Sequence, residues 1–370
     1  MSAVRLDADP ALVALAETAP SLVLDGDTPR LIDEWQLAPI LWNAARHSID
    51  ERGATGQFIF AGSATPSDDV TRHSGAGRFG RLLVRPMSLS ESRESTEQVS
   101  FHALMQGEAA AGIGGPDVRE FARLITRGGW PALVTQPGRD ATRYLKGYLD
   151  AVALVDVRAA GIVVDPVRVA ALIRAIARNT ASERAATKLA AEADISAQSS
   201  RHYLDALVRV FVIEEQPAWS THLRSKVRLR VQPKWHFVDP SLAVAALGGS
   251  EGRLLDDLNS FGLLFESLCV RDLRVYAQAL DGTVFHYRDS SGLEVDAIVE
   301  LRSGEWGAFE VKLGGQQAID HAAASLKALR AKVSEDRQRE LRTLTVLTAG
   351  TTSYRRDDGV DVVALGHLTV

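Results

Sequence analysis

The 370-residue sequence lacks several features that would assign it to a class at once. It has one cysteine, Cys269, which excludes an internal disulfide and a cysteine-based zinc site within one chain and suits a reducing cytoplasm. It has no apolar run of about 18 residues and no leader of basic and then apolar residues. We therefore expect a cytoplasmic protein that neither spans a membrane nor is exported.

Charge and short motifs exclude further classes. The net charge of −5 provides no global basic field, so any nucleic-acid site has to be local. The histidines form no HExxH motif, and no Gly-x-Ser-x-Gly elbow supports serine hydrolysis. The hydrophobic fraction of 46% and the charged fraction of 24% are those of an ordinary globular protein, and the length predicts two or three domains.

The most informative stretch is PRLIDEWQ, which spans Pro29–Gln36. Its short apolar run ends in two adjacent carboxylates, Asp33 and Glu34. A buried strand that delivers an Asp-Glu pair to the carboxyl edge of a parallel sheet is the layout of a Walker B motif, in which the Asp helps to hold Mg²⁺ and the Glu polarises the attacking water. The alternative is a strand that runs into an acidic turn, because the pattern is common.

The neighbouring segments predict the rest of a doubly wound parallel sheet. Residues 21–25 and 29–34 are predicted strands, residues 38–52 a helix that Gly53 ends, and residues 57–62 a third strand that leads into Ser63. Ligands of such sheets bind at the carboxyl ends of the strands, where Ser63 and the two carboxylates would lie.

At this point the sequence resembles a known family. LIDEWQ, FIFAGSAT and SGAGRFGRLLVRPMSLSES, with the later GGWPAL and YLKGYLDAVALVDV, resemble the second half of the ATPase core and the following region of a bacterial AAA-type family. Its members carry a C-terminal domain of unknown function, family 4143. The resemblance covers nearly the whole chain and implies a partial AAA-type P-loop ATPase sheet with ATP and Mg²⁺ as cofactors.

The resemblance also implies roles for individual residues. Asp33 would hold Mg²⁺, Glu34 would orient water, and Ser63 would sense the γ-phosphate. An arginine of the GR segment, Arg78 or alternatively Arg81, would complete the site of a neighbouring subunit, so a homo-oligomer is expected.

One departure from the family pattern concerns the phosphate loop. The sequence contains no G-x-x-x-x-G-K-[ST], whose backbone N–H groups and lysine supply most of the binding of the β- and γ-phosphates. Either the chain begins downstream of the true start, which we favour, or it is a degenerate member. Deficient nucleotide binding is expected in both cases.

The middle of the chain is predicted to be helical, with a winged helix. A connector over residues 110–160 is interrupted at Gly128–Pro131, and three helices follow near residues 166–177, 183–191 and 196–210. Four basic residues then alternate along one strand face, as expected of a wing that follows phosphates: Arg224, Lys226, Arg228 and Arg230. A DNA or protein partner is the expectation here, and a solvated strand face is the alternative.

The C-terminal part predicts a restriction-endonuclease-like order of elements, αβββαβ. Asp296 lies on the second strand, Glu310 and Lys312 share one face of the third, and Glu266 on the first helix adds an acid. Carboxylates beside Glu-x-Lys would hold Mg²⁺ and place an ammonium group near the attacking water. Ordinary salt bridges on an edge strand are the alternative.

Together these patterns predict an α/β protein of three parts. They are a partial ATPase core over residues 1–105, a helical and winged-helix region over 106–235, and a nuclease-like domain over 236–370. ATP binding by an AAA-type ATPase is the leading functional hypothesis. A Mg²⁺-dependent nuclease and a non-enzymatic DNA- or protein-binding scaffold are the alternatives.

Overall fold

The computed structural model describes residues 2–63, 77–136, 140–156, 165–220 and 231–370. These residues form a mixed α/β structure with several sheets, which divides into two compact units. Unit 1 comprises residues 1–84, 152–165 and 205–212, and unit 2 comprises residues 85–151, 166–204 and 213–370. No described helix is long and apolar enough to cross a membrane.

Unit 1 contains a three-stranded parallel sheet in the order β1-β2-β3, with Asp33 of β2 opposite Ala61 of β3. The apolar faces of its helices pack with the strands into one core, in which Ile32 and Leu41 are fully buried. Its elements are β1 (Ser2–Arg5), α1 (Pro10–Thr18), α2 (Pro20–Leu24), β2 (Arg30–Asp33), α3 (Ile40–Arg52) and β3 (Phe58–Ala61).

The predicted strands at 29–34 and 57–62 and the predicted helix at 38–52 are confirmed as β2, β3 and α3. Gly53 adopts a left-handed φ of 64° and donates its N–H to Ile49, which ends α3 as predicted. The predicted strand at 21–25 is wrong, because residues 21–24 belong to α2 and Asp25 follows the helix as its C-cap. Pro20 begins that helix, and a short apolar run does not distinguish a strand from one buried helical turn.

In unit 2, residues 85–151 carry the predicted helices. Gly128-Gly129 separates α5 from α6, and a Cβ on Gly129 would collide with the carbonyl oxygen of Met87. Residues 85–105, assigned to the first domain by sequence, lie in unit 2 by their contacts. The elements are β4 (Val99–Ser100), α4 (Phe101–Leu104), β5 (Gly112–Ile113), α5 (Val118–Arg127), α6 (Pro131–Val134) and α7 (Ala141–Ala151). The π-helical turn that follows in the chain (Val152–Asp156) belongs to unit 1.

The next segment has three helices and a small antiparallel sheet in the order β6-β8-β7. The three predicted helices are present. The four basic wing residues, Arg224, Lys226, Arg228 and Arg230, lie outside the described residues, so their strand stays a prediction. The elements are α8 (Pro166–Arg178), β6 (Ser182–Glu183), α9 (Ala186–Glu192), α10 (Ala197–Arg209), β7 (Ile213–Gln216) and β8 (Lys234–Phe237).

The C-terminal elements build a seven-stranded sheet in the order β5-β13-β14-β12-β11-β10-β9. The predicted order of helix, three strands, helix and strand is present, although the first helix is interrupted at Asp257 and a short helix precedes β12. The elements are α11 (Pro240–Ala246), α12 (Glu251–Asp256), α13 (Leu258–Ala279), β9 (Gly282–Arg288), β10 (Glu294–Leu301), β11 (Trp306–Lys312), α14 (Gln316–Lys332), α15 (Glu335–Glu340), β12 (Leu341–Thr348), β13 (Thr352–Arg355), β14 (Asp361–Ala364) and β15 (Leu368–Thr369).

Long-range contacts hold α13 in place within unit 2. Arg271 is buried on this helix and forms ion pairs with Asp239 at 2.8 Å and with Asp272 at 2.7 Å. The two carboxylates in turn accept backbone N–H groups from Gly129 and Leu89. A buried guanidinium group thus links helix α13 to segments more than a hundred residues earlier in the chain.

Candidate functional sites

The first candidate site lies at the carboxyl ends of β2 and β3 in unit 1. The Ser63 hydroxyl donates to Oε2 of Glu34 at 3.3 Å, and Oδ1 of Asp33 accepts the N–H of Glu34 at 3.2 Å. Glu34 adopts a left-handed φ of 54°, which turns the chain immediately after the strand. The structure therefore brings together Asp33, Glu34 and Ser63, the three residues that the sequence analysis placed at this edge.

A fourth residue of this site, Gln36, was not predicted. Its amide nitrogen donates to Glu34 and, at 3.2 Å, to Ser63, while its amide oxygen is buried without a hydrogen-bond partner in the described part of the chain. A Cβ at Gly62 would overlap this amide. The glycine therefore permits the close approach that holds Gln36 over the carboxylate of Glu34.

The predicted arginines line a cleft that also includes Gly62. Arg78 pairs with Asp50 of α3 at 2.6 Å, and this hydrogen bond lowers the pKa of the Asp50 carboxyl. Arg81 lies over the ring of Trp42, with 6.0 Å between the guanidinium carbon and the ring centroid. The cleft has a volume of about 740 Å³ and is lined by aromatic side chains beside these arginines, among them Trp35, Phe58, Phe60 and Phe79.

The second candidate site is a chain of charged groups in unit 2. From one end to the other it consists of Glu266, Lys234, Asp296, Lys312 and Glu310. The Lys234 ammonium lies 2.6 Å from Glu266 Oε1 and 3.7 Å from Asp296 Oδ1. On the other side, the Lys312 ammonium lies 3.5 Å from Asp296 Oδ2 and 2.8 Å from Glu310 Oε2. The four predicted residues are therefore close together, and Lys234 is a fifth member that was not predicted.

Four elements position these groups. Lys234 begins β8, Glu266 lies on α13, and Glu310 and Lys312 lie on β11. In β10, Val295 pairs with Tyr287 and Ile298 with Phe285, so β10 has one extra residue between these pairs. This bulge lies at Asp296, whose Oδ2 accepts the N–H of Val311 at 2.8 Å.

Burial makes the charge states of this site unusual. Burial raises the pKa of Glu266 to about 7 and that of Glu310 to about 8. At Glu310 the negative charge of Asp296 contributes to this rise. The pKa of Asp296 is lowered, because the charges of Lys234 and Lys312 outweigh its burial. Perturbed carboxyl groups that converge in this way are a feature of functional sites, and also of structural ion networks.

Of the two additional residues, only Lys234 has a signal in the sequence. Lys234 belongs to KWHF, a strand whose four residues are all buried, and a buried lysine in an apolar strand is a recognisable signal that its charge is paired. Gln36 had no such signal, because a glutamine two residues after an acidic pair is common in surface turns.

Two family models match this chain. Residues 118–253 match a domain of unknown function, DUF8612, and residues 261–368 match a domain of unknown function, DUF4143. The second match agrees with the C-terminal part of the resemblance seen in the sequence. It falls in unit 2 and includes four of the five charged residues of the second site; Lys234 lies within the first match.

Two curated relatives have similar sequences. They are the uncharacterised proteins Rv2008c of Mycobacterium tuberculosis and Mb2031c of Mycobacterium bovis, each 24% identical to this chain over 321 residues. The alignment covers 86% of this chain and 66% of each relative, so the chain spans slightly less than two thirds of their length. No solved structure matches the chain.

Proposed function

We propose that unit 1 carries the hydrolytic part of a nucleoside-triphosphate site. The observation that supports this most directly is the hydrogen bond between Ser63 and Glu34 across adjacent parallel strands, beside Asp33. Additional support comes from the DUF4143 match, because that domain is typically found with AAA-type ATPases.

The residues of this edge suit Mg²⁺ and water. Asp33 and Glu34 offer carboxylate oxygens, the ligands that Mg²⁺ prefers. Within the described residues, these two side chains accept hydrogen bonds from neutral groups. When bound, the ion neutralises the charge that develops on the phosphates. Asp33 would hold it, Glu34 would accept a proton from the water, and Gln36 and Ser63 would keep the Glu34 carboxylate oriented.

The neighbouring cleft suits the rest of a nucleotide. Its volume of about 740 Å³ falls in the range of small-molecule sites, roughly 300–1,000 Å³, and its aromatic walls would accept a base. Arg78 and Arg81 supply positive charge along the same cleft. Because the 370 residues contain no phosphate loop, we expect weak affinity for Mg–ATP, in the millimolar range.

The test is binding of Mg–ATP, followed by ligand-observed NMR, to the wild type and three variants. We expect Asp33→Asn to remove most of the binding and Glu34→Gln to retain it while abolishing any hydrolysis. Asp25→Asn, an exposed carboxylate of the same unit, is the matched control. Absence of binding at millimolar nucleotide, or equal binding by Asp33→Asn and Asp25→Asn, would contradict the proposal.

A second candidate function, cleavage of nucleic acid by unit 2, is favoured by the convergence of Asp296, Glu310 and Lys312 on adjacent strands β10 and β11. The order of helices and strands from α13 to β12 also supports the hypothesis of a nuclease-like domain. The helices α8 to α10, with sheet order β6-β8-β7, support a winged helix that would bind DNA or a protein.

The charged cluster does not suit a divalent ion as it stands. Each of its three carboxylates is paired with an ammonium group. Among the described residues, no three acidic, histidine or cysteine side chains are arranged to hold a metal. We therefore assign no step of this reaction to a metal ion.

Cleavage of plasmid DNA, measured with Mg²⁺ and with EDTA, tests the second function. We expect Lys312→Ala to lower cleavage by orders of magnitude while DNA binding persists. Lys327→Ala, a half-exposed lysine of α14, is the control. If the wild type neither binds nor cuts DNA, this function is excluded, and a DNA affinity with little salt dependence would exclude a phosphate-binding wing.

A further inference from the structure

In the charged cluster of unit 2, Lys234 lies between the acidic residues Glu266 and Asp296. It comes from β8, which lies outside the helix and strands that carry the other four charged groups. Its side chain is 9% exposed, and its ammonium lies between the carboxylates of Glu266 and Asp296. Of these two carboxylates, that of Glu266 accepts a hydrogen bond from Lys234 at 2.6 Å.

The surroundings keep this ammonium where it is. Lys234 pairs with Gln216 in the sheet register, and the Gln216 amide donates to the carbonyl oxygens of Phe285 at 3.0 Å and of Asp296 at 2.9 Å. This ties β8 and its neighbour β7 to the strand of Asp296. An ammonium displaced from its partners in so buried a place would lose its charge compensation, so it does not leave readily.

A divalent cation between the same two carboxylates would have to occupy this place. Oxygen-bound Mg²⁺ or Mn²⁺ requires carboxylate oxygens at roughly 2.0–2.2 Å, with no like charge inside the coordination shell. The Lys234 ammonium is within hydrogen-bond distance of one carboxylate and ion-pair distance of the other. An ion and this ammonium cannot both be accommodated without a large electrostatic repulsion.

We propose that Lys234 is an internal counter-cation that excludes divalent metal ions from the carboxylates of Glu266 and Asp296. The wild-type cluster is then a closed network of ion pairs, and a metal ion binds between Glu266 and Asp296 only after the charge of Lys234 has been removed. This inference concerns the same cluster as the nuclease-like function and relies on that function only for the choice of ion. Its readout is metal binding, which does not depend on cleavage.

The test is Mn²⁺ binding to the full chain, measured by calorimetry and by the EPR signal of free Mn²⁺, with Asp33→Asn in every protein compared, including the one called wild type, so that the site proposed in unit 1 does not contribute. We expect Lys234→Gln to bind Mn²⁺ at least tenfold more tightly than the wild type. The double variant Lys234→Gln with Asp296→Asn should lose that gain. Lys327→Gln, which removes a lysine charge at the surface of the same unit, should bind as the wild type does.

Equal Mn²⁺ affinity of a folded Lys234→Gln variant and the wild type would overturn the inference, with folding checked by circular dichroism. A second comparison does not need that variant to fold. If Lys234 excludes the ion, Asp296→Asn should leave Mn²⁺ binding unchanged as long as Lys234 is in place. A tight wild-type site that Asp296→Asn abolishes would therefore also overturn it. If the wild type cleaves DNA but Lys234→Gln does not bind Mn²⁺ more tightly, the nuclease-like function remains and only this inference is refuted.

Discussion

The carboxyl of Glu310 should make the stability of unit 2 fall as the pH rises through neutrality. Burial and the charge of Asp296 raise its pKa from 4.5 to about 8 in the folded state. The folded protein therefore retains a proton that the unfolded chain releases at lower pH. Since stability decreases with pH wherever the folded state binds more protons, this group destabilises the fold progressively up to about pH 8.

The window in which this effect dominates follows from the neighbouring groups. Burial lowers the pKa of His286 from 6.5 to about 4 and that of His236 well below 6.5, so these two imidazoles raise the stability with pH, but only up to about pH 6.5. Glu266, with a pKa near 7, adds a small decrease above that pH. Between pH 6.5 and 8, Glu310 is the largest contributor.

The magnitude is set by the width of that window. Each pH unit over which the folded state holds one extra proton lowers the free energy of unfolding by about 1.4 kcal/mol. From pH 6.5 to 8 the wild type should therefore lose about 2 kcal/mol through Glu310 and less than about 1 kcal/mol through Glu266. Glu310→Gln resembles the protonated form, so it should cost little at pH 6.5 and remove the larger part of the decline.

Hydrogen exchange followed by mass spectrometry measures this in the strands concerned. Peptides from β10 and β11 report the free energy of opening of unit 2 after correction for the intrinsic pH dependence of exchange. Glu335→Gln, an exposed carboxylate with 89% side-chain exposure, should behave as the wild type. A wild-type stability that stays constant or rises from pH 6.5 to 8 would refute the reasoning, as would an unchanged decline in Glu310→Gln.

Two further substitutions test contacts that the structure assigns. Gly62→Ala should displace Gln36 from its hydrogen bonds and lower the free energy of unfolding by less than about 1 kcal/mol, because the far end of a flexible side chain can move. Thermal unfolding checks this, with Gly80→Ala as the control because a Cβ there meets open space. Arg271→Met should lower the free energy of unfolding by about 3–5 kcal/mol, since two buried carboxylates lose their counter-charge. Urea unfolding measures this loss, and the surface substitution Arg339→Met, as the control, should change the free energy of unfolding little. A loss below about 1 kcal/mol at Arg271 would mean that water reaches these carboxylates.

The sequence was most informative where a function depends on local order. The ends of β2 and β3 were predictable because an apolar run, its length and the polar residue after it are all local features. Parallel pairing then brings those ends to one edge, which places Ser63 beside Glu34. The proximity of Asp296 to Glu310 and Lys312 was predictable for a similar reason. These residues lie on strands that follow each other in the chain, and β10 and β11 pair as antiparallel neighbours.

Features that depend on distant segments were not predictable. Lys234 lies 32 residues before Glu266 in the sequence, and only the packing of β8 against α13 brings the two together. The bulge at Asp296 depends on pairing with β9, which no periodicity reveals. At α2 the error had a different origin, because Leu22, Val23 and Leu24 form a run too short for its period to be read.

The two candidate sites contain the same kinds of acid but differ in how their charge is compensated. Within the described residues, the side chains of Asp33 and Glu34 accept hydrogen bonds from a backbone N–H, an amide and a hydroxyl, and none of these groups carries a positive charge. In unit 2, Asp296 lies between the ammonium groups of Lys234 and Lys312. Carboxylates with neutral partners still attract a cation, whereas those already paired with lysines gain little from one. The distribution of lysines, rather than that of acids, therefore leads us to expect a metal ion in unit 1 and not in unit 2.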